Sequence, residues 1–211
     1  MKKILHTYRH AFLILGYMPI YLILFFWVEH LVTDSYHIIG CELDHMIPFV
    51  EWFVFPYILW FPYIALGVLA FILYDKDEYF RLAKMLITGM SIFLFVSFVF
   101  PNGLSIRPDL SSLGRENLAI TLLSKLHKLD TQTNVCPSIH VFNSVAVCFA
   151  FFHSEVFRKK KVLCGSLLVL SVLVCLSTLF IKQHSVIDVV AALLMFVLLL
   201  PAYYRKKKPA N

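Results

Sequence analysis

The sequence predicts an all-α integral membrane protein, a bundle of six transmembrane helices. Its composition and the lengths of its apolar runs support this prediction. Of its 211 residues, 60% are hydrophobic and 15% are charged, against roughly 25% charged residues in an ordinary soluble domain. The mean hydropathy is +0.78, so more apolar surface is present than one small core can bury, and the remainder must face lipid. This excludes a disordered chain, a disulfide-rich secreted module and a typical soluble enzyme.

Six apolar runs approach the roughly 20 residues that a helix needs to cross a bilayer. They are Ala11–Val28, Phe53–Tyr74, Ala83–Phe100, Val141–Phe157, Val162–Ile181 and Val186–Tyr204. The third run is short, and Asn143, His153 and Glu155 interrupt the fourth. Because no Pro/Gly/Ser-rich linker divides the chain, residues 1–211 are expected to form a single membrane-embedded domain.

The positions of the basic residues predict how the chain is oriented. One side of the predicted bundle holds 14 of the 19 Lys and Arg residues: Lys2, Lys3, Arg9, Lys76, Arg81, Lys84, Arg158–Lys161 and Arg205–Lys208. Cytoplasmic loops carry such an excess of positive charge. The prediction is therefore a multi-pass protein of the cell membrane with both termini in the cytoplasm. The net charge of +6 follows this pattern and does not indicate nucleic-acid binding.

The longest outward loop contains a helical pattern. Between Arg115 and His127, the apolar residues Leu118, Ala119, Leu122, Leu123 and Leu126 recur at helical spacing. A short helix lying in the membrane interface explains this pattern. A helix packed over the ends of the spans explains it equally well.

Two further outward features have open interpretations. Cys41 and Cys136 face a compartment where a disulfide is chemically permitted, although nothing in the sequence shows that they approach each other. Glu51, near the outward start of the second span, is a candidate for the mouth of a pocket. An interfacial carboxylate facing water is at least as good an explanation.

Polar residues collect at the outward ends of separate spans. They are Arg107, Ser138, His140, Lys182, His184 and Asp188. A charged residue within a span is costly and indicates function by default. Asp188 follows His184 by four residues, so the two share one helix face, where the carboxylate can hold the imidazole in one tautomer. Each residue alone has an ordinary structural explanation, but their coincidence on one side favours a site.

These segments resemble the three signatures of the type 2 phosphatidic acid phosphatase superfamily. The matching residues are Arg107-Pro108, then Pro137-Ser138-Ile139-His140, then Ser177 followed by His184 and Asp188. The family patterns are Lys-x6-Arg-Pro, Pro-Ser-Gly-His and Ser-Arg-x5-His-x3-Asp. The middle and last segments look closer to the branch that contains inositol phosphorylceramide and sphingomyelin synthases.

The resemblance implies an enzyme that acts on lipid phosphoesters at the extracytoplasmic face. By position, His184 is then the nucleophile that forms a phosphohistidine, Asp188 orients it, and His140 is the general acid and base. Arg107 and Ser138 bind the phosphoryl oxygens. The resemblance implies no cofactor, and the sequence shows no cluster with metal-ligand spacing. The expected partners are a lipid phosphate or phosphodiester substrate and the bilayer, with no nucleic acid.

The sequence departs from the family pattern at three positions. Phe100 and Thr178 replace two cationic residues, and Ile139 replaces a glycine; Lys182 is a candidate replacement cation. Fewer fixed cations suit a phosphodiester donor better than a monoester. A lipid phosphatase, a lipid phosphotransferase and a non-catalytic transporter or scaffold all remain as hypotheses, with the intact His140, His184 and Asp188 arguing against the last.

Overall fold

A computed structural model of the protein describes residues 8–31 and 36–204. Lys2, Lys3 and Arg205–Lys208, on which part of the orientation prediction depends, lie outside these ranges. Eight α-helices occur in the described residues: α1 Phe12–Leu31, α2 Glu42–Met46, α3 Val54–Tyr74, α4 Lys76–Val99, α5 Leu118–Leu129, α6 Ile139–His153, α7 Lys161–Phe180 and α8 Val186–Tyr203. The chain is therefore mostly helical, as predicted.

Five helical segments of the described chain are long and apolar enough to cross a membrane. They are Arg9–Leu31, Glu51–Tyr74, Lys76–Val99, Lys161–Phe180 and Val186–Tyr203. The first two include a short 3₁₀ turn before the α-helix. Their length and composition support a multi-pass membrane protein. The remaining predicted span, the fourth, corresponds to the shorter apolar helix α6, Ile139–His153.

Helix α6 lies at the centre of the bundle and packs against α3, α4, α7 and α8. Its 15 residues extend about 22 Å at 1.5 Å per residue, less than the roughly 30 Å of a hydrocarbon core. Gly67 and Gly89 let α3 and α4 approach it closely. A Cβ atom on Gly89 would lie 2.1 Å from the Phe142 ring, and one on Gly67 would lie 2.7 Å from Val147. The position of His140 therefore depends on these two close helix contacts.

Two predicted helix boundaries are wrong. Helix α4 begins at Lys76 rather than Ala83, because the Asp75 side chain accepts the backbone N–H of Glu78 at 3.1 Å and caps the helix. Helix α6 ends at His153 rather than Phe157. There the Ser154 hydroxyl donates to Asp75 at 2.5 Å and accepts the N–H groups of the following turn. In both cases a polar cap, rather than apolar length, sets the boundary.

Helix α5 covers the end of the bundle where α3 begins and α7 ends. Asn117 caps it by accepting the N–H of Ile120 at 3.0 Å. Its buried residues are Ala119, Leu123 and Leu126, which cluster with Val54, Tyr57 and Ile181 of the neighbouring elements. This packing favours the second of the two sequence-based interpretations, a helix packed over the span ends.

A short strand pair departs from the all-α expectation. Strands β1 (His37–Ile38) and β2 (Asn102–Gly103) pair in parallel. The Asn102 side-chain oxygen accepts the N–H groups of Val135 and Cys136 at 3.0 and 2.9 Å. The strand pair thus fixes the segment that leads into α6.

Candidate active site

Two histidines from distant parts of the chain meet at the end of the bundle where α6 and α8 begin. His140 lies in the first turn of α6, and His184 lies two residues before α8. The distance from His140 Nδ1 to His184 Nε2 is 3.3 Å, within hydrogen-bonding range. Both side chains are buried. The two imidazoles that the sequence places on one side of the membrane are therefore in contact.

Asp188 lies behind His184, but the two do not share a helix face as predicted, because α8 begins at Val186, after His184. Its Oδ2 atom lies 3.4 Å from His184 Nδ1, and the carboxylate is fully buried. The same oxygen accepts the backbone N–H of Ser185 at 2.8 Å, which completes a capping box at the start of α8. A carboxylate beside Nδ1 favours the tautomer with its proton on that nitrogen. The Nε2 atom of His184, which faces His140, then keeps its lone pair.

Aromatic rings of α3 hold the other imidazole. The His140 ring lies 4.6 Å from the Tyr57 ring and 4.4 Å from the Trp60 ring, measured between centroids. The first residue is buried and the second half-buried. These contacts restrict the orientation of His140, so that its Nδ1 atom stays directed at His184.

Ser138 connects the two histidine segments. Its hydroxyl oxygen accepts the N–H of Val141 at 3.4 Å and caps α6. Its own backbone N–H donates to the carbonyl oxygen of Asp188 at 3.2 Å. Ser138 is fully buried beside both segments.

Arg107 reaches the site through Gln183. Its guanidinium donates to the carbonyl oxygens of Asp130 and Thr131 at 2.8 and 2.6 Å. It also donates to the side-chain oxygen of Gln183, the residue before His184. Burial lowers the pKa of Arg107, while the charges of Asp130, Tyr57 and Glu29 oppose this shift. The guanidinium therefore lies beside the histidine pair but is anchored on backbone carbonyls.

Residues 86–210 match the family model of the PAP2 superfamily. The chain belongs to the PAP2 superfamily. The match covers more than half of the chain and includes His140, His184 and Asp188, so it confirms the resemblance inferred from the motifs. Neither a curated protein nor a solved structure matches the chain significantly.

Lys182 does not point at the histidine pair of this PAP2 superfamily member. It adopts a left-handed backbone conformation with φ 59°, and its ammonium donates to the carbonyl oxygens of Asp44 and Ile47 at 2.5 Å each. Burial lowers its pKa, and the nearby charge of Asp44 opposes this shift. This geometry makes Lys182 an anchor between the segment that precedes α8 and the C-terminal part of α2. It does not support the expectation that Lys182 replaces a missing phosphate ligand.

Asp44 is a site-supporting residue that the sequence did not indicate. Its carboxylate accepts the N–H of Val186 at 2.8 Å and the hydroxyl of Ser185 at 2.6 Å, and so binds the start of α8. Burial raises the pKa of Asp44, but these hydrogen bonds and those from Cys41 outweigh it, and the net shift is downward. No local pattern could have revealed this role, because the partners lie some 140 residues away in sequence.

The Glu51 and cysteine hypotheses both require correction. Glu51 neither faces water nor lines the cavity beside the histidines. It is buried and pairs with Arg115 at 2.9 Å, and it accepts from Asn117 at 3.2 Å. The permitted disulfide does not form, because Cys41 and Cys136 are both free thiols. Burial, together with the nearby Asp188 carboxylate, raises the pKa of Cys136 to about 12.

A cavity of about 70 Å³ opens against the histidine pair. Its polar lining residues are Glu29, Asp130, Thr131, Thr133, Asn134, His140, Gln183 and His184, and Phe25, Phe26 and Phe93 contribute an aromatic wall. The carboxylate of Glu29 accepts from Thr133 at 2.6 Å, from Asn134 at 2.9 Å and from Thr131. Sequence reasoning missed Glu29, Asp130, Asn134 and Gln183. An acidic residue at the end of an apolar run was the only signal for Glu29.

Proposed function

We propose that the protein is a membrane enzyme that transfers or hydrolyses lipid phosphoesters through a covalent phosphohistidine at His184. Membership of the PAP2 superfamily supports lipid phosphatase-like chemistry in general. The observation that carries the specific proposal is the line of Asp188, His184 and His140, in which an imidazole 3.4 Å from a carboxylate faces a second imidazole at 3.3 Å. A non-catalytic scaffold has no need of such an arrangement.

The chemistry takes two balanced steps. His184 Nε2 attacks phosphorus, and the ester P–O bond breaks as the P–N bond forms. The leaving oxygen takes a proton from His140. In the second step, water or an alcohol attacks the phosphohistidine and gives its proton to His140, and the P–N bond breaks. Asp188 stabilises the positive charge that His184 carries while phosphorylated.

The phosphoryl oxygens need donors that are already in place before the reaction. The buried side-chain nitrogen of Gln183 has no hydrogen-bond partner among the described residues and lines the cavity. The Ser138 hydroxyl accepts from Val141 and keeps its own proton to donate. The charge of Arg107, which contacts Gln183, adds electrostatic stabilisation.

A phosphodiester donor and an alcohol acceptor fit these donors better than a phosphate monoester and water. Thr178, at one position where the family pattern has a cation, donates its hydroxyl to the carbonyl oxygen of Cys175 at 2.8 Å. Phe100, at the other, stacks on His37 with ring centroids 4.5 Å apart. With Lys182 held by two carbonyls, Arg107 is the one cation of the sequence-predicted set beside the histidines. A monoester carries nearly two negative charges at pH 7, and a bound diester carries one.

The experiment is incubation of the purified protein with radiolabelled lipid phosphoesters, with and without candidate alcohol acceptors. We expect His184-dependent turnover, faster for a diester donor with an alcohol than for phosphatidic acid in water. Rapid hydrolysis of phosphatidic acid with no use of diester donors would make the protein a phosphatase. Absence of His184-dependent turnover on every donor would refute the proposal.

We also propose that the site faces the extracytoplasmic side, with both termini in the cytoplasm. The distribution of basic residues supports this orientation. A cysteine introduced at the exposed Ser112 should react with a membrane-impermeant reagent in intact cells. Reaction only after permeabilisation would overturn the orientation.

A further inference from the structure

Besides His184 Nδ1, which lies beside Asp188, two buried polar atoms on residues that line the cavity have no hydrogen-bond partner among the described residues. They are Asn134 Oδ1 and Gln183 Nε2, on side chains whose residues are 6% and 1% exposed. Their neighbours establish which amide atom is which. The side-chain N–H of Asn134 donates to Glu29, a carboxylate that only accepts, and the side-chain oxygen of Gln183 accepts from Arg107, which only donates. The cavity therefore offers a ligand one free acceptor and one free donor.

The acceptor side of the cavity also carries negative charge. Glu29 and Asp130 line it, and no Lys or Arg is among the lining residues of the described chain. Arg107 lies behind this wall, on the carbonyl oxygens of Asp130 and Thr131. One carboxylate oxygen of Asp130 accepts from Tyr57, and the other accepts no hydrogen bond from a described residue. A bound cation would balance the negative charge of Glu29 and Asp130 on this side of the cavity.

An aromatic wall completes the same pocket. Phe25 of α1 and Phe93 of α4 stack with ring centroids 6.2 Å apart, and both line the cavity with Phe26. Aromatic faces attract cations through the ring quadrupole. The cavity thus combines donors near the histidines with carboxylates, an amide oxygen and aromatic rings.

We propose that this cavity binds the headgroup of a zwitterionic phosphodiester lipid that carries a primary ammonium group. The ammonium lies against Glu29, Asp130 and the free oxygen of Asn134. The phosphoryl group lies against the free Gln183 nitrogen and the histidine pair. This inference rests on the proposed function, and it adds the class of headgroup that the site selects.

A primary ammonium fits these groups better than a quaternary one. It supplies three N–H donors, whereas a trimethylated nitrogen supplies none to the free oxygens of Asn134 and Asp130. The small cavity volume of about 70 Å³ also disfavours three extra methyl groups. A neutral headgroup alcohol would leave the carboxylates without a cation.

The first experiment measures diacylglycerol release by the purified full-length protein from lipids that share one pair of acyl chains. The donors are phosphatidylethanolamine, its N-methylated forms, phosphatidylcholine and phosphatidylglycerol. We expect the rate to fall stepwise with methylation, and phosphatidylglycerol to be slower than phosphatidylethanolamine by about tenfold or more, the value of a hydrogen bond to a charged group. Equal rates for all donors, or a preference for phosphatidylcholine, would overturn the inference.

Glu29→Gln tests the charge and keeps the shape of the side chain. We expect the ratio of phosphatidylethanolamine to phosphatidylglycerol turnover to fall by about tenfold or more, and Asp130→Asn to lower it in the same direction. A ratio from one preparation is independent of the fraction of folded protein, because misfolded protein lowers both rates equally. Glu116→Gln, at an exposed carboxylate on the same side, is the matched control and should leave the ratio unchanged. An unchanged ratio in both cavity variants would contradict the inference.

A binding measurement separates this inference from the proposed function. Calorimetry on the His184→Ala protein compares glycerophosphoethanolamine with glycerophosphoglycerol, and we expect the first to bind about tenfold more tightly or better. If the wild type turns over no lipid but this preference holds, the proposed function fails and the headgroup site stands. If turnover depends on His184 but is the same for charged and neutral headgroups, the headgroup site fails and the proposed function stands.

Discussion

The two ends of helix α6 carry histidines in opposite circumstances. His140 opens the helix and His153 closes it, about 20 Å apart at 1.5 Å per residue. At the far end, His153 Nδ1 lies 2.9 Å from the buried carboxylate of Glu78, a shorter contact than the 3.4 Å between His184 and Asp188. Judged by the carboxylate–histidine distance alone, the far end has the better pair.

The surroundings of the two pairs distinguish them. The same carboxylate oxygen of Glu78 also accepts from Arg81 at 3.0 Å, so its charge is matched. The His153 side chain is 38% exposed, and it packs on Phe149 and Tyr204. His184 is 7% exposed, and its far nitrogen faces a second imidazole and a polar cavity. A carboxylate–histidine pair therefore indicates catalysis only when the other ring nitrogen has a reaction partner.

The largest expected effect is the difference in turnover between substitutions of the two histidines, His184 and His153. His184→Ala should lower turnover of lipid donors by roughly 10⁴ or more, since it removes the proposed nucleophile. His153→Ala should leave turnover per folded molecule within about twofold, because a substitution at a partly exposed position away from the candidate site changes the rate little. The measurement is diacylglycerol release from purified protein. Near-wild-type turnover by His184→Ala would remove the proposed mechanism.

Substitutions of the two carboxylates, Asp188 and Glu78, should also have different effects. Asp188→Asn should lower the rate by roughly 10³–10⁴, since an amide can stabilise the wrong tautomer of His184. The protein should stay folded, because the amide oxygen can still accept from Ser185. Glu78→Gln should instead lower the thermal midpoint, because its interactions with Arg81 and His153 weaken, with little change in rate. The comparison uses circular dichroism melting beside the turnover assay, and a reversed pattern would show that the far end is the functional one.

Lys182→Met tests whether Lys182 is an anchor or a ligand. If Lys182 anchors the loop that carries His184, its substitution should displace that histidine. Turnover of monoester and diester donors should then fall by the same factor, about ten- to a hundredfold for a displaced group. A phosphate ligand would favour the monoester, so the losses would differ. Lys128→Met, at an exposed lysine on the same side, is the control. Unequal losses for the two donors would restore Lys182 as a phosphate ligand.

The smallest expected effect concerns His127 of α5. Burial, with the charge of Arg107 beside it and Asp130 opposing, lowers its pKa from an ordinary 6.5 to about 4. Between these values the unfolded chain binds more protons, so stability should fall as the pH drops from about 6.5 towards 4. His127→Gln should flatten the pH dependence of the thermal midpoint in this window. The same slope in both proteins would exclude His127 as its source.

Tertiary contacts determined most of the hydrogen-bonding groups that the cavity presents. Asn134 and Gln183 are ordinary loop amides in the sequence, and only their neighbours Glu29 and Arg107 leave one atom of each free. Lys182 also shows that the sequence alone does not decide which side chains reach the site. Because it lies two residues from His184, it was a reasonable ligand, but its ammonium donates to carbonyl oxygens of Asp44 and Ile47 at the end of α2.

By itself, the sequence determined the membrane class, the helices and the His184–Asp188 pair. These features depend on local quantities: the length of an apolar run and the four-residue separation of His184 and Asp188 across the start of α8. Only the tertiary structure decided that His140 contacts His184, that Glu51 pairs with Arg115 rather than facing water, and that Cys41 and Cys136 stay apart. Each of these depends on groups far apart in the chain, whose distance is set by helix packing, for example at Gly67 and Gly89 against α6.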